Sequence, residues 1–238
     1  MSLNVKDDRG FNQGFKLVAS TEIRMKRRAE FIISKMDPGK KGDVLEIGCG
    51  RGELSYWIAE STGNNVIGSD LCIPFINDAS QHYQLPNLSY EVLDFNHPDH
   101  IKNRKFDYIV GNGILHHLYA HMDDALTTLF NLLKPGGKII FMEPNIYNPY
   151  CAIIFKIGFM RKVAHLEPDE MAFSGAYIRK KLQFAGFSNI ETKYRDFLLP
   201  GVPEWSVKPI VAVGSIVEKI PLLDHLAQSV FISAEKNK

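Results

Sequence analysis

Apolar residues recur with two different periods along this chain, and the two periods alternate. After an irregular opening through residue 20, TEIRMKRRAEFIISKM has the spacing of an amphipathic helix, with Ser20 or Thr21 placed to cap it. DPGKKG stops that helix. Short apolar runs then alternate with helical ones. DVLEIG predicts a strand, ELSYWIAEST a helix, NNVIGSD a strand, and IPFINDASQHY a helix with Pro74 in its first turn. NLSYEVLD and KFDYIVGN predict two more strands. HMDDALTTLFNLLK reads as a helix ended by Pro135, Gly136 and Gly137, and KIIFMEPN as the fifth strand. Residues 146–172 show no clear strand. AYIRKKLQFAG then predicts a helix, FSNIETKYRDF a strand and HLAQSVFISAEK the last strand. Between those strands, LLPGVPEWSVKPIVAVGSIVEKIPLL is punctuated by proline and glycine and reads as a long connection.

Strand–helix alternation of this kind predicts an α/β fold, a three-layer αβα sandwich around a mostly parallel sheet. One domain over residues 1–238 is the simplest organisation. It has a helical lead-in over 1–36 and two long connections, 146–175 and 198–224, expected to cover an acceptor site.

Bulk properties narrow the class. The 238 residues are 45% hydrophobic and 23% charged, ample for a core, and carry a net charge of +1. No global field recruits polyanions, and RMKRR reads as the solvated face of a helix. Cys49, Cys72 and Cys151 are odd in number and far apart, which fits a reducing cytoplasm and neither disulfides nor a zinc cluster. The polar opening MSLNVKDDRG does not resemble a secretion signal, and no apolar run approaches the ~20 residues that span a bilayer.

The candidate chemistry begins at VLEIGCGRGELSYWIA, where Gly48, Gly50 and Gly52 follow a strand and precede a helix. Such a loop lets a ligand approach backbone, and the helix start favours an anion. GxxxxGK[ST] is absent, so no phosphate-cradling loop is encoded. The dinucleotide fingerprint GxGxxG fails at its third glycine, and Glu53 would repel a pyrophosphate. A phosphate-free nucleoside with a carboxylate tail remains. The second strand ends in Asp70, followed by Leu71, about 20 residues past the loop, where an acid can accept from both ribose hydroxyls. Asp94 and Phe95 end the third strand and suit the amine and the face of an adenine. Glu46 reads as a buried carboxylate that needs partners, expected to be the loop amides or a ligand ammonium through water.

EIGCGRG, Asp70, Asp94–Phe95, FDYIVGNGILHHL and LLKPGGKIIFMEPN together resemble the class I S-adenosylmethionine-dependent methyltransferases, over roughly residues 40–145. The resemblance implies a Rossmann-like sheet of seven strands with the last antiparallel. It implies that backbone around Gly48 and Gly50 contacts the methionine moiety of S-adenosylmethionine, Asp70 the ribose and Asp94 with Phe95 the adenine, with Glu46, Cys49, Gly52 and Leu71 as further cofactor-binding residues. Asn112 or Gly113 would lie near the transferable methyl, and S-adenosylhomocysteine would be the product.

A sulfonium methyl is already electrophilic, so a base is needed only for an acceptor that keeps its proton. His116 and His117 are the candidate catalytic residues. Glu143 and His165 are candidate acceptor contacts, whereas Asp169 and Glu170 read as a solvated acidic loop. His117, His121 and Asp124 share one face if the segment is α-helical, but no further ligands support a metal there. The acceptor is expected to be a small molecule, apolar or lipid-like, given the greasy segments NPYCAIIFKIGFM and FLLPGVPEWSVKPIVAVGSIV, which could also touch a membrane surface or form core. Nucleic acid is disfavoured by the neutral charge. A nicotinamide-dependent oxidoreductase and a non-catalytic S-adenosylmethionine-binding protein are the competing readings. The acceptor atom and the oligomeric state are not encoded in these motifs.

Overall fold

The computed structural model describes residues 19–95, 101–199 and 201–237. Residues 1–18 of the expected lead-in, and Pro200 in the second long connection, lie outside that set. Seven strands form a single sheet: β1 (Asp43–Ile47), β2 (Asn65–Asp70), β3 (Leu88–Val92), β4 (Phe106–Asn112), β5 (Leu133–Pro144), β6 (Ser188–Arg195) and β7 (Ser229–Glu235). Their order is β3-β2-β1-β4-β5-β7-β6, with β7 antiparallel to both neighbours and the other pairings parallel. The fold is thus the expected Rossmann-like α/β sandwich.

The helices are α1 (Ala19–Lys35), α2 (Glu53–Thr62), α3 (Ile73–His82), α4 (Met122–Leu132), α5 (Pro149–Lys156), α6 (Gly158–Val163), α7 (Gly175–Phe184) and α8 (Glu204–Val217). The period-two pattern of the central strands decides which helices cover which face. Leu45 and Ile47 of β1, with Ile109 of β4, bury against Leu126 and Leu129 of α4 and Ile178 and Leu182 of α7. Val44, Tyr108 and Val110 point the other way, onto Ile32 of α1 and Leu54 and Ile58 of α2. The chain steps outward from β1 to β3 and then returns to place β4 on the other side of β1. Strand order reverses there, and the reversal opens a crevice at the carboxyl ends of β1 and β4.

Three segments differ from the sequence expectation. The helix over the fourth connection stops at Leu132, and Pro135–Gly137 lies inside β5 rather than beyond a helix end. Leu133 already pairs with Phe106, and the register slips before Tyr108 pairs with Lys138; Gly136 at φ 76° absorbs that irregularity. Residues 115–121 form a 3-10 turn, not the first turns of an α-helix, so His117, His121 and Asp124 do not share the face an α-helical spacing gives them. The Pro-punctuated second connection carries the helix α8. Pro209 is tolerated on its exposed side, where solvent can serve the carbonyl that loses its partner, and Gly214 is buried against Phe197.

Close approach of α2 and β3 to β2 depends on the missing side chain at Gly68. A Cβ there would lie 2.6 Å from Ser55 Oγ and 2.7 Å from Tyr90 Cδ1. Gly68→Ala is therefore expected to destabilise the protein by about 1–3 kcal/mol through overpacking. Chemical denaturation checks this, and an unchanged midpoint would contradict the packing described.

Candidate active site

The crevice has a volume of about 520 Å³, within the range of ligand pockets. One wall is the loop leaving β1. Gly48 and Gly50 hold φ of 71° and 53°, which an L side chain adopts only with strain, and a Cβ on Gly50 would project into open space. The loop is tied back to β2 by two bonds: the Cys49 amide donates to the Ser69 carbonyl at 2.8 Å, and the Gly50 amide to Asp70 Oδ2 at 2.9 Å. Asp70 Oδ1 accepts from the Cys72 amide at 2.9 Å. Asp70 and Leu71 line the crevice, as do Leu93, Asp94 and Phe95 beyond the end of β3. Phe95 is also part of the hydrophobic core, so its ring serves both.

Glu46 and Cys49 line the same wall from below. The partner of Glu46 is the Ser55 hydroxyl on α2, not the loop amides expected from the sequence. Burial, only partly relieved by that bond, pushes Glu46 up to about 8. Burial likewise pushes the Cys49 thiol up. Gly52, expected to border the ligand, is not part of the lining. It needs its left-handed φ of 86° to start α2, and a Cβ there would meet Tyr90 Oη at 2.6 Å. Its role is packing.

The opposite wall comes from β4, the turn after it and the connection after β5. Asn112, Gly113, Ile114, His116 and His117 line it, facing Ala164–Glu167 and Glu170. Glu143, expected to look into the site, lies beneath this wall and is only 1% exposed. Its carboxylate accepts from the amides of Ile114 (3.0 Å), Leu115 (2.8 Å) and His116 (3.2 Å), and pairs with His116 Nδ1 at 2.9 Å. With Glu143 accepting, Nδ1 carries the proton and Nε2 is the acceptor nitrogen of the ring.

His117 is paired differently. Its Nδ1 lies 2.6 Å from Glu170 Oε1. Burial works against a charge on His117, but the hydrogen bond and charge of Glu170 outweigh it and raise the pKa. Glu170 is correspondingly lowered by His117 despite its own burial. Glu170 is thus a buried member of the wall rather than the solvated residue the sequence suggested, while Asp169 is exposed. The ligand atoms of His116, His117 and Glu170 lie within 4.8 Å of one another. Hydrogen bonds and the His116–His117 ring contact at 4.1 Å account for that grouping. His165 lines the crevice with a left-handed φ of 54°.

The floor was not legible in the sequence. Thr21, Arg24, Met25 and Arg28 of α1 line the crevice, so RMKRR is not a solvated face. Arg24 and Arg28 both reach Asp196, at 3.2 and 3.3 Å, and Arg28 also bonds Ser229 and Asn112. Burial and the neighbouring Arg24 charge lower Arg28 to about 10. Asp196 is held below the ordinary carboxylate range, the three arginines of α1 outweighing its burial. The signal that could have found this floor is the spacing of Thr21, Met25 and Arg28, one face of a helix.

Comparison with known proteins bears on the domain and the fold. Residues 45–139 match the family model described as a methyltransferase domain. A stretch of 140 residues is 31% identical to phosphoethanolamine N-methyltransferase 1 of Arabidopsis thaliana, covering 57% of this chain and 27% of that protein. The chain therefore spans about a quarter of the length of that plant relative. A second relative, an S-adenosyl-L-methionine-dependent Diels-Alderase of Talaromyces variabilis, is 28% identical over 67% of this chain and 58% of its own. A SAM-dependent methyltransferase from Archaeoglobus fulgidus has the same fold, with a TM-score of 0.63 over 90% of this chain and 94% of the other, at 19% identity. The chain thus carries, over residues 45–139, a stretch similar to a methyltransferase domain, set in a sheet of the same fold as known SAM-dependent methyltransferases.

Proposed function

We propose that this protein transfers a methyl group from S-adenosylmethionine to a small-molecule acceptor and releases S-adenosylhomocysteine. The observation that carries the proposal is the meeting of a phosphate-free glycine loop with two carboxylates, Asp70 and Asp94, on successive strand ends of one crevice. These residues fit the nucleoside. Asp70 lines the crevice where its carboxylate would accept from ribose hydroxyls, and Asp94 lines it where an adenine amine would lie. Gly48, Cys49 and Gly50 leave room for the tail, and Arg24 and Arg28 supply positive charge at the floor for its carboxylate. The bound cofactor supplies an electrophilic methyl on sulfur.

The chain's own residues would align and deprotonate the acceptor. Asn112 ends β4 and Gly113 follows it on the crevice wall, and Arg28 fixes the Asn112 carboxamide. His116, oriented by Glu143, offers Nε2 as proton acceptor. His117, held toward its charged form by Glu170, is a poorer base and provides a positive edge to the acceptor side. His165 and Leu166 complete that side, within the 146–175 connection that would act as a lid. The connection over 198–224 would support it as part of one domain. The three buried cysteines form no disulfide among the described residues, which supports a cytoplasmic location.

The Diels-Alderase relative favours a second reading, in which the bound nucleoside assists other chemistry. Release of S-adenosylhomocysteine with an acceptor separates the two, and S-adenosylmethionine left intact through product formation would favour the second.

Calorimetric titration is expected to show saturable binding of S-adenosylmethionine and S-adenosylhomocysteine and none of NADH. Asp70→Ala should weaken both by roughly 10- to 150-fold, the worth of ~1.5–3 kcal/mol of charge-assisted hydrogen bonding. Wild-type affinity in that variant would contradict the ribose contact. With an acceptor identified by S-adenosylhomocysteine release, His116→Ala is expected to lower kcat by about 10²- to 10⁴-fold with cofactor affinity unchanged. Undiminished kcat would remove His116 as the base.

A further inference from the structure

Exposed apolar side chains are not spread evenly over this molecule. Among the described residues 17 large ones are exposed; six fall between Tyr147 and Val163 and seven between Trp205 and Leu226. The first group has a regular layout. On α5, Cys151 and Phe155 turn inward and pack with Ala172. Tyr150 and Ile153 turn outward on the same short helix, and Ile157, four residues on, is exposed just past its end. The stripe continues onto α6 with Phe159, 73% exposed, and Val163. A helix apolar on both sides is normally buried on both.

Charge identifies what covers the outer side. No acidic residue occurs from Pro144 through Leu166, while Lys156, Arg161 and Lys162 do. Lys156 and Lys162 are exposed beside the stripe. Arg161 instead braces the following loop through the carbonyls of Phe155, Glu167, Pro168 and Glu170. Protein-binding surfaces are depleted in lysine at their core, whereas an anionic lipid surface attracts lysine and accepts exposed aromatic and aliphatic side chains. The stripe also adjoins the crevice. α6 runs directly into Ala164–Glu167, which line it, and Asn148 at the start of α5 donates to the Leu226 carbonyl at 2.6 Å, fixing a second exposed apolar turn beside it. No helix of the described residues is long and apolar enough to cross a membrane, so contact through this face would be interfacial.

We propose that the α5–α6 face docks the protein on an anionic lipid surface, with the acceptor side of the crevice at the membrane. An amphipathic acceptor then reaches the crevice without leaving the lipid for water. Docking does not depend on the cofactor reading, and S-adenosylhomocysteine affinity serves as a separate control.

Co-sedimentation of the full chain with phosphatidylcholine vesicles, with and without phosphatidylglycerol, tests the proposal. Binding is expected only with phosphatidylglycerol and should weaken as salt is raised. The pair Ile153→Glu with Phe159→Glu, and separately the pair Lys156→Glu with Lys162→Glu, should each weaken it by roughly tenfold or more, with the thermal midpoint and S-adenosylhomocysteine affinity unchanged. Wild-type protein left in the supernatant at both compositions would overturn the proposal. So would variants that sediment like wild type. A dimer in light scattering that the Ile153/Phe159 pair dissolves would assign the face to a second copy instead. If the variants do not fold, the lipid and salt dependence of the wild type decides the matter.

Discussion

One carboxylate of Asp70 holds two backbone segments at once: Oδ2 takes the Gly50 amide of the loop after β1, and Oδ1 the Cys72 amide ahead of α3. This ties the carboxyl ends of β1 and β2 together at the rim of the crevice. The loop can make that turn only because Gly48 and Gly50 accept positive φ, and without a Cβ at Gly50 the space beside the loop stays open. The same acid therefore shapes the loop and lines the crevice. Its position at a strand end beside the strand-order reversal follows from the topology, which places crevice and carboxylate together.

Around this cradle the protein keeps charge apart by pairing it in layers. Glu46 is buried with one hydroxyl partner and is driven toward its neutral form. Across the crevice, Glu143 spends its carboxylate on three amides and one imidazole. It fixes the turn after β4 and the His116 ring with one group. At the floor, Asp196 answers the arginines of α1, and the left-handed φ of 75° at Asp196 turns the chain there. Breaking such a buried pair leaves an uncompensated charge, commonly costing about 3–5 kcal/mol. The floor is in that sense as much a part of the fold as of the site.

The sheet and the strand-end wall of the crevice were legible because both are local. Alternation in DVLEIG or KFDYIVGN reports a strand directly, Asp70 ends β2, and Asp94 lies two residues past β3. Long-range partners were not legible. Arg24 and Arg28 looked solvated because their partner Asp196 is far along the chain. Glu170 looked like loop surface because His117 lies 53 residues earlier. Gly52 looked like a ligand contact because spacing cannot distinguish a glycine that clears a ligand from one that clears Tyr90. The helix α8 was masked by Pro209, whose cost is small on a solvent-facing side.

The central claim is that the crevice over β1 and β4 is built for a nucleoside with an amino-acid tail and no phosphate. A crystal structure of the protein soaked with S-adenosylhomocysteine tests it most directly. The account expects the ribose hydroxyls on Asp70, the adenine between Leu71 and Phe95 with its amine toward Asp94, and the tail over Gly48–Gly50. The nucleoside bound elsewhere, or a diphosphate-bearing ligand retained on that loop in its place, would contradict it.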